Sequence, residues 1–293
     1  MDLHDEINSH GGFATTRELR AAGATEHALT RAVRSGVIRR VRNGWYSTVA
    51  PSDPRFRAIR AGGRLTGISA FESWGAWVWN HPTVVHVAVA GNAARLRRAP
   101  GIRISYGSNP GEGTRTAVSV GEAVVHVLLN EPLENAIPCV DWALSRGRLD
   151  IIDFERAILR LPEPARAVRS WVDGRSQSVL ESVARVRLRL LGYRVASQVS
   201  TGMLDANDLV IEDCAVLELD GREFHESTFE KDRRKDLITT IEGRHVIRVS
   251  EGMLRYDWPS ILGALEACLR ARSVGNSGDF VRQPTGSQRS HGR

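Results

Sequence analysis

The sequence predicts a multidomain protein of mixed α+β and α/β character. Three observations carry this expectation. Three short helices followed by a basic hairpin occupy the first 50 residues, and two proline pairs, Pro51/Pro54 and Pro162/Pro164, punctuate the 293-residue chain. The last segment reads helix, two antiparallel strands, helix, strand, helix. That length suits two domains, or three small ones.

Hydrophobic residues make up 42% and charged residues 25% of the chain, enough for an ordinary core. The net charge of +6 favours a polyanionic partner, nucleic acid being the commonest; the alternative is a basic protein without one. Cys139, Cys214 and Cys268 are far apart and odd in number, which excludes a zinc knuckle or a disulfide framework and fits a reducing, cytoplasmic setting. The acidic, polar start MDLHDEINSHGG is unlike a signal peptide. The richest apolar stretch, Phe71–Trp79, is too short and too interrupted for a membrane.

Residues 1–50 read as a winged helix-turn-helix. Asp5–His10 forms a short helix, Thr15 or Thr16 opens a second that Gly23 stops, and Thr25 caps a third, EHALTRAVRS, that Gly36 stops. Val37–Ser47 then mixes apolar and basic residues about Asn43-Gly44, a hairpin turn pair. Seven arginines lie between 17 and 42, opposed by Glu18 and Glu26. Arg31 and Arg34 share a face of the third helix, where a recognition helix meets DNA. Arg39, Arg40 and Arg42 lie on the wing, placed for phosphates. The competing readings are a solvated basic face and a winged helix used for protein contact.

Residues 55–170 mix strands (Val84–Val89, Ile102–Tyr106) with helices (Val118–Leu129, Ile137–Arg146, Ile152–Arg160) and show no chemistry. His81 and His86 have no carboxylate or cysteine at ligand spacing and read as structural. Trp74, Trp77 and Trp79 read as a core cluster rather than a stacking platform. The segment leaves room for a homodimer contact or a partner protein.

Residues 176–272 carry the candidate chemistry, and 273–293, rich in Gly, Ser and Arg, are expected to be disordered. Ser178–Leu191 is a helix with the apolar stripe Val179, Val183, Val186, Leu190. Glu181 falls about 200° from Val183, at roughly 100° per residue, and so off the stripe. It either pairs with Arg185 one turn on or acts as an outer metal ligand or base. Asp208–Ile211 and Ala215–Leu219 form a hairpin, with Glu218 and Asp220 on one face of its second strand. A two-residue loop would set Asp208 opposite Leu217, on the apolar face. A three-residue loop, Glu212–Cys214, sets it opposite Glu218, and this register is predicted because it keeps a carboxylate away from leucines. Carboxylates that face one another repel, so one takes a proton or a cation sits between them. Mg²⁺, or Mn²⁺, suits Asp208 and Glu218 and would activate water for attack on a phosphodiester. Ser227 and Glu230 make a capping box for the next helix, followed by a strand at His245–Ser250 and a helix at Pro259–Leu269. The strand–helix–strand crossover predicts a mixed sheet flanked by helices.

Two resemblances add to this reading. The order ATTRELRAAGATEHALTRAVRSGVIRRVRNGWYS resembles the N-terminal domain of AbiEi-type antitoxins over roughly residues 3–50, which implies operator binding and repression. The runs SVLESVARVRLRLLGY, NDLVIEDCAVLELDGREFHESTFEKDRRKD and GRHVIRVS resemble the Vsr-like endonuclease family of the PD-(D/E)xK restriction-endonuclease-like superfamily, over about 176–270. That second resemblance implies a leading acid at Glu181, a metal-binding Asp208, an acidic strand motif at Glu218 to Asp220, a histidine at His225, and phosphate-facing Arg233, Arg234 and Arg248. The sequence departs from the pattern in two places: Asp220 stands where the superfamily has lysine, with His225 or Lys231 as substitutes, and Asn207 stands where an apolar residue is usual.

Two functions follow as expectations. One is a DNA endonuclease using Asp208, Glu218, Asp220, His225 and Glu181. The other is a DNA-binding regulator, antitoxin-like, with a catalytically inactive nuclease fold.

Overall fold

In a computed structural model of the chain, residues 2–94, 96–107, 112–200, 206–220 and 237–278 are described. The protein is mixed α+β and forms two compact units, Met1–Gly174 and Arg175–Arg293. Among the described residues no helix is long and apolar enough to cross a membrane.

The first unit opens with α1 (Leu3–Ser9), β1 (Phe13–Thr15), α2 (Thr16–Ala21), α3 (Glu26–Arg34), β2 (Arg39–Arg42) and β3 (Trp45–Ser47). Local chemistry sets each helix start. Asp2 accepts from the His4 and Asp5 amides, Thr15 and Glu18 form a reciprocal capping box, and Thr25 accepts from the Ala28 amide at 3.2 Å. The wing β2–β3 turns at Asn43-Gly44, where Gly44 alone of the pair is left-handed (φ 80), and bulges between Arg40 and Arg42. β1 pairs antiparallel with β3, giving the order β1-β3-β2. The sequence reading lacked this strand because three residues are too few to show alternation. Ile7, Leu19, Leu29, Ile38 and Tyr46 form the winged-helix core. Phe13 and Val41 pack instead on Phe56 and Ile59 of α4 (Pro54–Ala61). Pro54 lies in the first turn of α4, where its missing N–H costs nothing, so this proline starts a helix.

The same unit continues through β4 (Arg64–Leu65), α5 (Gly67–Ser73), β5 (Val85–Ala90), β6 (Ile102–Gly107), α6 (Val120–Asn130), α7 (Leu133–Ser145) and α8 (Ile151–Leu159), then a 3₁₀ segment, Glu163–Trp171. β4 runs antiparallel and β6 parallel to the central β5. The two strands and three helices expected here are present with small shifts at their ends. Trp79 is buried, Trp74 and Trp77 pack on the core, and Phe71 meets Trp74 and Trp142 edge-on at 5.5 and 6.2 Å. These tryptophans are core residues, as expected. His81 is exposed and pairs with Glu72 at 2.6 Å.

The second unit has α9 (Val179–Leu190), β7 (Val195–Val199), β8 (Asn207–Ile211), β9 (Ala215–Asp220), β10 (His245–Ser250), α10 (Glu251–Tyr256) and α11 (Trp258–Gly278). Its mixed sheet has the order β10-β9-β8-β7, with β10 parallel to β9 and the other pairs antiparallel. α9 is buried over more than one face, against β7, β8 and α10. Leu180, Ala184 and Leu188 therefore join Val183 and Val186 inside, whereas Leu190, expected in the stripe, is 56% exposed. α11 runs through Gly278, into the stretch expected to be disordered, since the first proline after it is Pro284. The rest of that stretch lies outside the described residues.

Candidate functional site

The first candidate is the surface of α3. Leu29 anchors the helix in the winged-helix core, so the opposite side must face solvent. His27, Thr30, Arg31 and Arg34 are all exposed there. Their spacing of i, i+3, i+4 and i+7 places four side chains on one stripe, two of them cationic. Arg31 and Arg34 were expected on this face. His27 and Thr30 were missed, although the same spacing in the sequence would have found them.

On the wing, Arg39 and Arg40 are exposed. Arg40 Nη2 donates to Asn43 Oδ1 at 2.8 Å and Arg39 Nη1 to the Thr48 carbonyl at 3.3 Å. Arg42 behaves differently. It is half-buried, with its guanidinium toward the Ile59 carbonyl at 3.5 Å and in the space left by Gly62. The bulge between Arg40 and Arg42 sets Arg42 opposite Trp45, on the face away from Arg40, which stands opposite Tyr46.

The second candidate is the carboxylate group of the second unit. β8 and β9 pair as Leu209↔Leu217, Val210↔Val216 and Ile211↔Ala215, the three-residue-loop register. Continued by one residue, that register sets Asp208 opposite Glu218. Glu212 and Asp213 take left-handed φ values of 50 and 54 in the connecting turn. Asp208 Oδ2 accepts the Leu219 amide at 2.8 Å.

Glu181, one turn into α9, is 4% exposed. Its Oε2 accepts from the Gln177 amide at 3.0 Å and from Gln198 Nε2 at 2.8 Å. Burial pushes its carboxyl up; the Gln177 amide opposes this, and the negative charge of Asp208 adds to it. The two glutamines that hold Glu181 were not anticipated, and Gln198 lies in β7, which was not expected as a strand. In the parallel ladder Arg248 stands beside Glu218, and Ser250 beside Asp220. His225, Lys231, Arg233, Arg234 and the capping pair Ser227/Glu230 lie outside the described residues. Among the described residues no three His, Cys, Asp or Glu side chains are grouped to hold a metal ion. Asp208 and Glu218 would offer two carboxylate ligands, and the rest of a Mg²⁺ shell would fall to water or a substrate phosphate.

Comparison with known proteins places the first of these candidates in context. A family model described as "Transcriptional regulator, AbiEi antitoxin" matches residues 1–48, the whole winged helix from α1 through β3. No curated protein matches the chain. Among solved structures, the crystal structure of the RV2827C protein from Mycobacterium tuberculosis is similar over 64% of this chain and 79% of that chain, at 16% identity and a TM-score of 0.31. The family match ends at residue 48 and covers none of the second unit; it is residues 1–48 that resemble the AbiEi-type transcriptional regulators.

Proposed function

We propose that the protein is a DNA-binding transcriptional regulator of the antitoxin-like kind. In this reading α3 enters the major groove and presents His27, Thr30, Arg31 and Arg34, while Arg39 and Arg40 on the wing meet phosphates. The observation that carries it is the single exposed stripe of four polar side chains on α3, two of them arginines. The match of residues 1–48 to a family of transcriptional regulators supports the same reading. The test is a binding titration on duplex DNA from upstream of the protein's own gene. Arg31→Ala/Arg34→Ala should lose at least about tenfold in affinity, given roughly 1–3 kcal/mol for a side chain that reads a base. Unchanged binding by the double variant at matched salt would refute it.

A second reading has the C-terminal unit cutting DNA with Mg²⁺ or Mn²⁺ held by Asp208 and Glu218, with Glu181, Asp220, His225, Arg233, Arg234 and Arg248 in the roles that the endonuclease resemblance implies. The register that aligns Asp208 with Glu218 favours it. Its test is metal-dependent nicking of supercoiled DNA, and intact substrate under both metals would leave the regulator reading alone.

A further inference from the structure

Within the first unit a cleft of ≈ 210 Å³ lies between the wing and the β4-β5-β6 sheet. Its polar walls are Arg42 from β2, Arg64 from β4, Arg115 from the segment before α6, and Glu122 from the first turn of α6. Trp45 of β3 supplies an aromatic wall. Three arginines from three separate elements line one small volume, a set of cations that suits a compact dianion. Arg64 Nη1 donates to the Glu112 carbonyl at 3.0 Å. Neither Arg64 nor Arg42 forms an ion pair among the described residues.

Glu122 does not cancel this charge, because it is answered from behind. It is 3% exposed, His126 Nε2 lies 3.2 Å from its Oε1, and Arg160 donates to its Oε2. Burial pushes its carboxyl up, yet His126 and Arg160 hold it below the ordinary range, so it stays an acceptor. A Cβ at Gly107 would come within 2.9 Å of Glu122 Oε1, so the missing side chain there leaves this oxygen room at the cleft. Three arginines, Arg115 among them shared with Glu18, and one buried acceptor beside an indole fit a phosphate joined to a hydroxyl-bearing body.

The cleft is also wired to the winged helix. Arg115 Nη1 donates to the Phe13 carbonyl at 2.8 Å and to Glu18 Oε2 at 3.1 Å. That same Glu18 oxygen receives the Thr15 amide at 2.8 Å and the Thr15 hydroxyl at 2.9 Å, closing the capping box of α2. α2 packs under α3 through Leu19 and Leu29. A phosphate drawn in by Arg115 would compete with Glu18 and so loosen the start of α2.

We propose that this cleft binds a small hydroxyl-bearing phosphomonoester, and that Arg115 passes its occupancy to the winged helix as weaker DNA binding. The ligand half stands on the cleft alone; the DNA half rests on the function proposed above.

The test is calorimetric titration of the full chain with ribose 5-phosphate, adenosine 5′-monophosphate and inorganic phosphate, up to about 10 mM, where a 1 mM site is ~90% filled. At least one organic phosphate should bind more tightly than inorganic phosphate. Arg64→Met, which keeps the aliphatic stem, should weaken it about tenfold or more with an unchanged melting temperature. Gly107→Ala, which crowds Glu122, should weaken it too. No binding by any of the three, or equal binding by both variants, overturns the site. The bound organic phosphate should then lower DNA affinity in the wild type and not in Arg64→Met. Ligand binding with DNA affinity unmoved overturns the coupling. A protein that binds the phosphate and no DNA removes the regulator reading while the site stands.

Discussion

Asp208 Oδ2 accepts the backbone amide of Leu219 at 2.8 Å, at the point where the β8–β9 ladder has made its last pair, Leu209 with Leu217. A side chain thus takes over from the main chain in satisfying a buried strand. Asp208→Asn keeps an acceptor in place and should change stability by no more than about 0.5 kcal/mol. Asp208→Ala orphans the Leu219 amide and should cost about 1–3 kcal/mol. Denaturant melts of the two variants check this. Nicking assays on the stable Asp208→Asn protein then separate a metal-binding role from a structural one: loss of cutting with the fold intact is expected only if the carboxylate holds a cation.

For the winged helix, each arginine that contacts a phosphate should account for about one released counterion. Arg39→Ala and Arg40→Ala should each flatten the plot of log affinity against log salt by a slope of about 0.9, whatever the DNA sequence. His27→Ala should instead reduce the preference for specific over random DNA and leave the salt slope nearly alone. Titrations at several salt concentrations on both DNAs distinguish the two behaviours.

Acid should destabilise the first unit in a defined window. His86 is 6% exposed and its pKa is pushed down to about 4 by burial, and then by Arg103 and His126. Glu131 lies 3.7 Å away, too far to hold a proton on the ring against those three. The unfolded chain therefore takes up a proton near the ordinary histidine value while the folded one does not. Stability is full above about pH 6.5 and falls as pH drops toward 4. His86→Gln, which cannot titrate, should flatten the melting-temperature profile across that window, and a profile as steep as wild type would place the effect elsewhere.

Glu181 predicts the opposite sign. Its carboxyl is raised by burial and by Asp208, so its ionised form is disfavoured in the folded protein. Glu181→Gln retains an oxygen to accept from Gln177 and Gln198 and removes the charge. It should raise the melting temperature at pH 8, and the gain should vanish at pH values low enough to protonate the carboxyl in both states. A variant less stable than wild type at pH 8 would show that the charge is compensated in place.

What the sequence made legible was mostly local. Thr15, Thr25 and Ser178 announced helix starts because a hydroxyl caps the amides two or three residues on. The β8–β9 register was legible because only one loop length kept Asp208 from facing Leu217. β1, β4 and β7 were not, being strands of 3, 2 and 5 residues whose partners decide them. The inward turn of Arg42 depends on a bulge, and the bond from Arg115 to Glu18 joins residues 97 apart in sequence. No local pattern encodes either. His27 and Thr30 are the exception, since their spacing with Arg31 and Arg34 was plain in the sequence.

The sheet order β10-β9-β8-β7 sets an order of assembly during synthesis. β9 is an interior strand, but its parallel neighbour is translated some two dozen residues later, at His245–Ser250. While the ribosome makes the intervening chain, the apolar strand Ala215–Leu217 has one edge unpaired, a template for any other extended segment. In the first unit the β2–β3 wing closes within a few residues through Asn43-Gly44, although β1 also waits for β3.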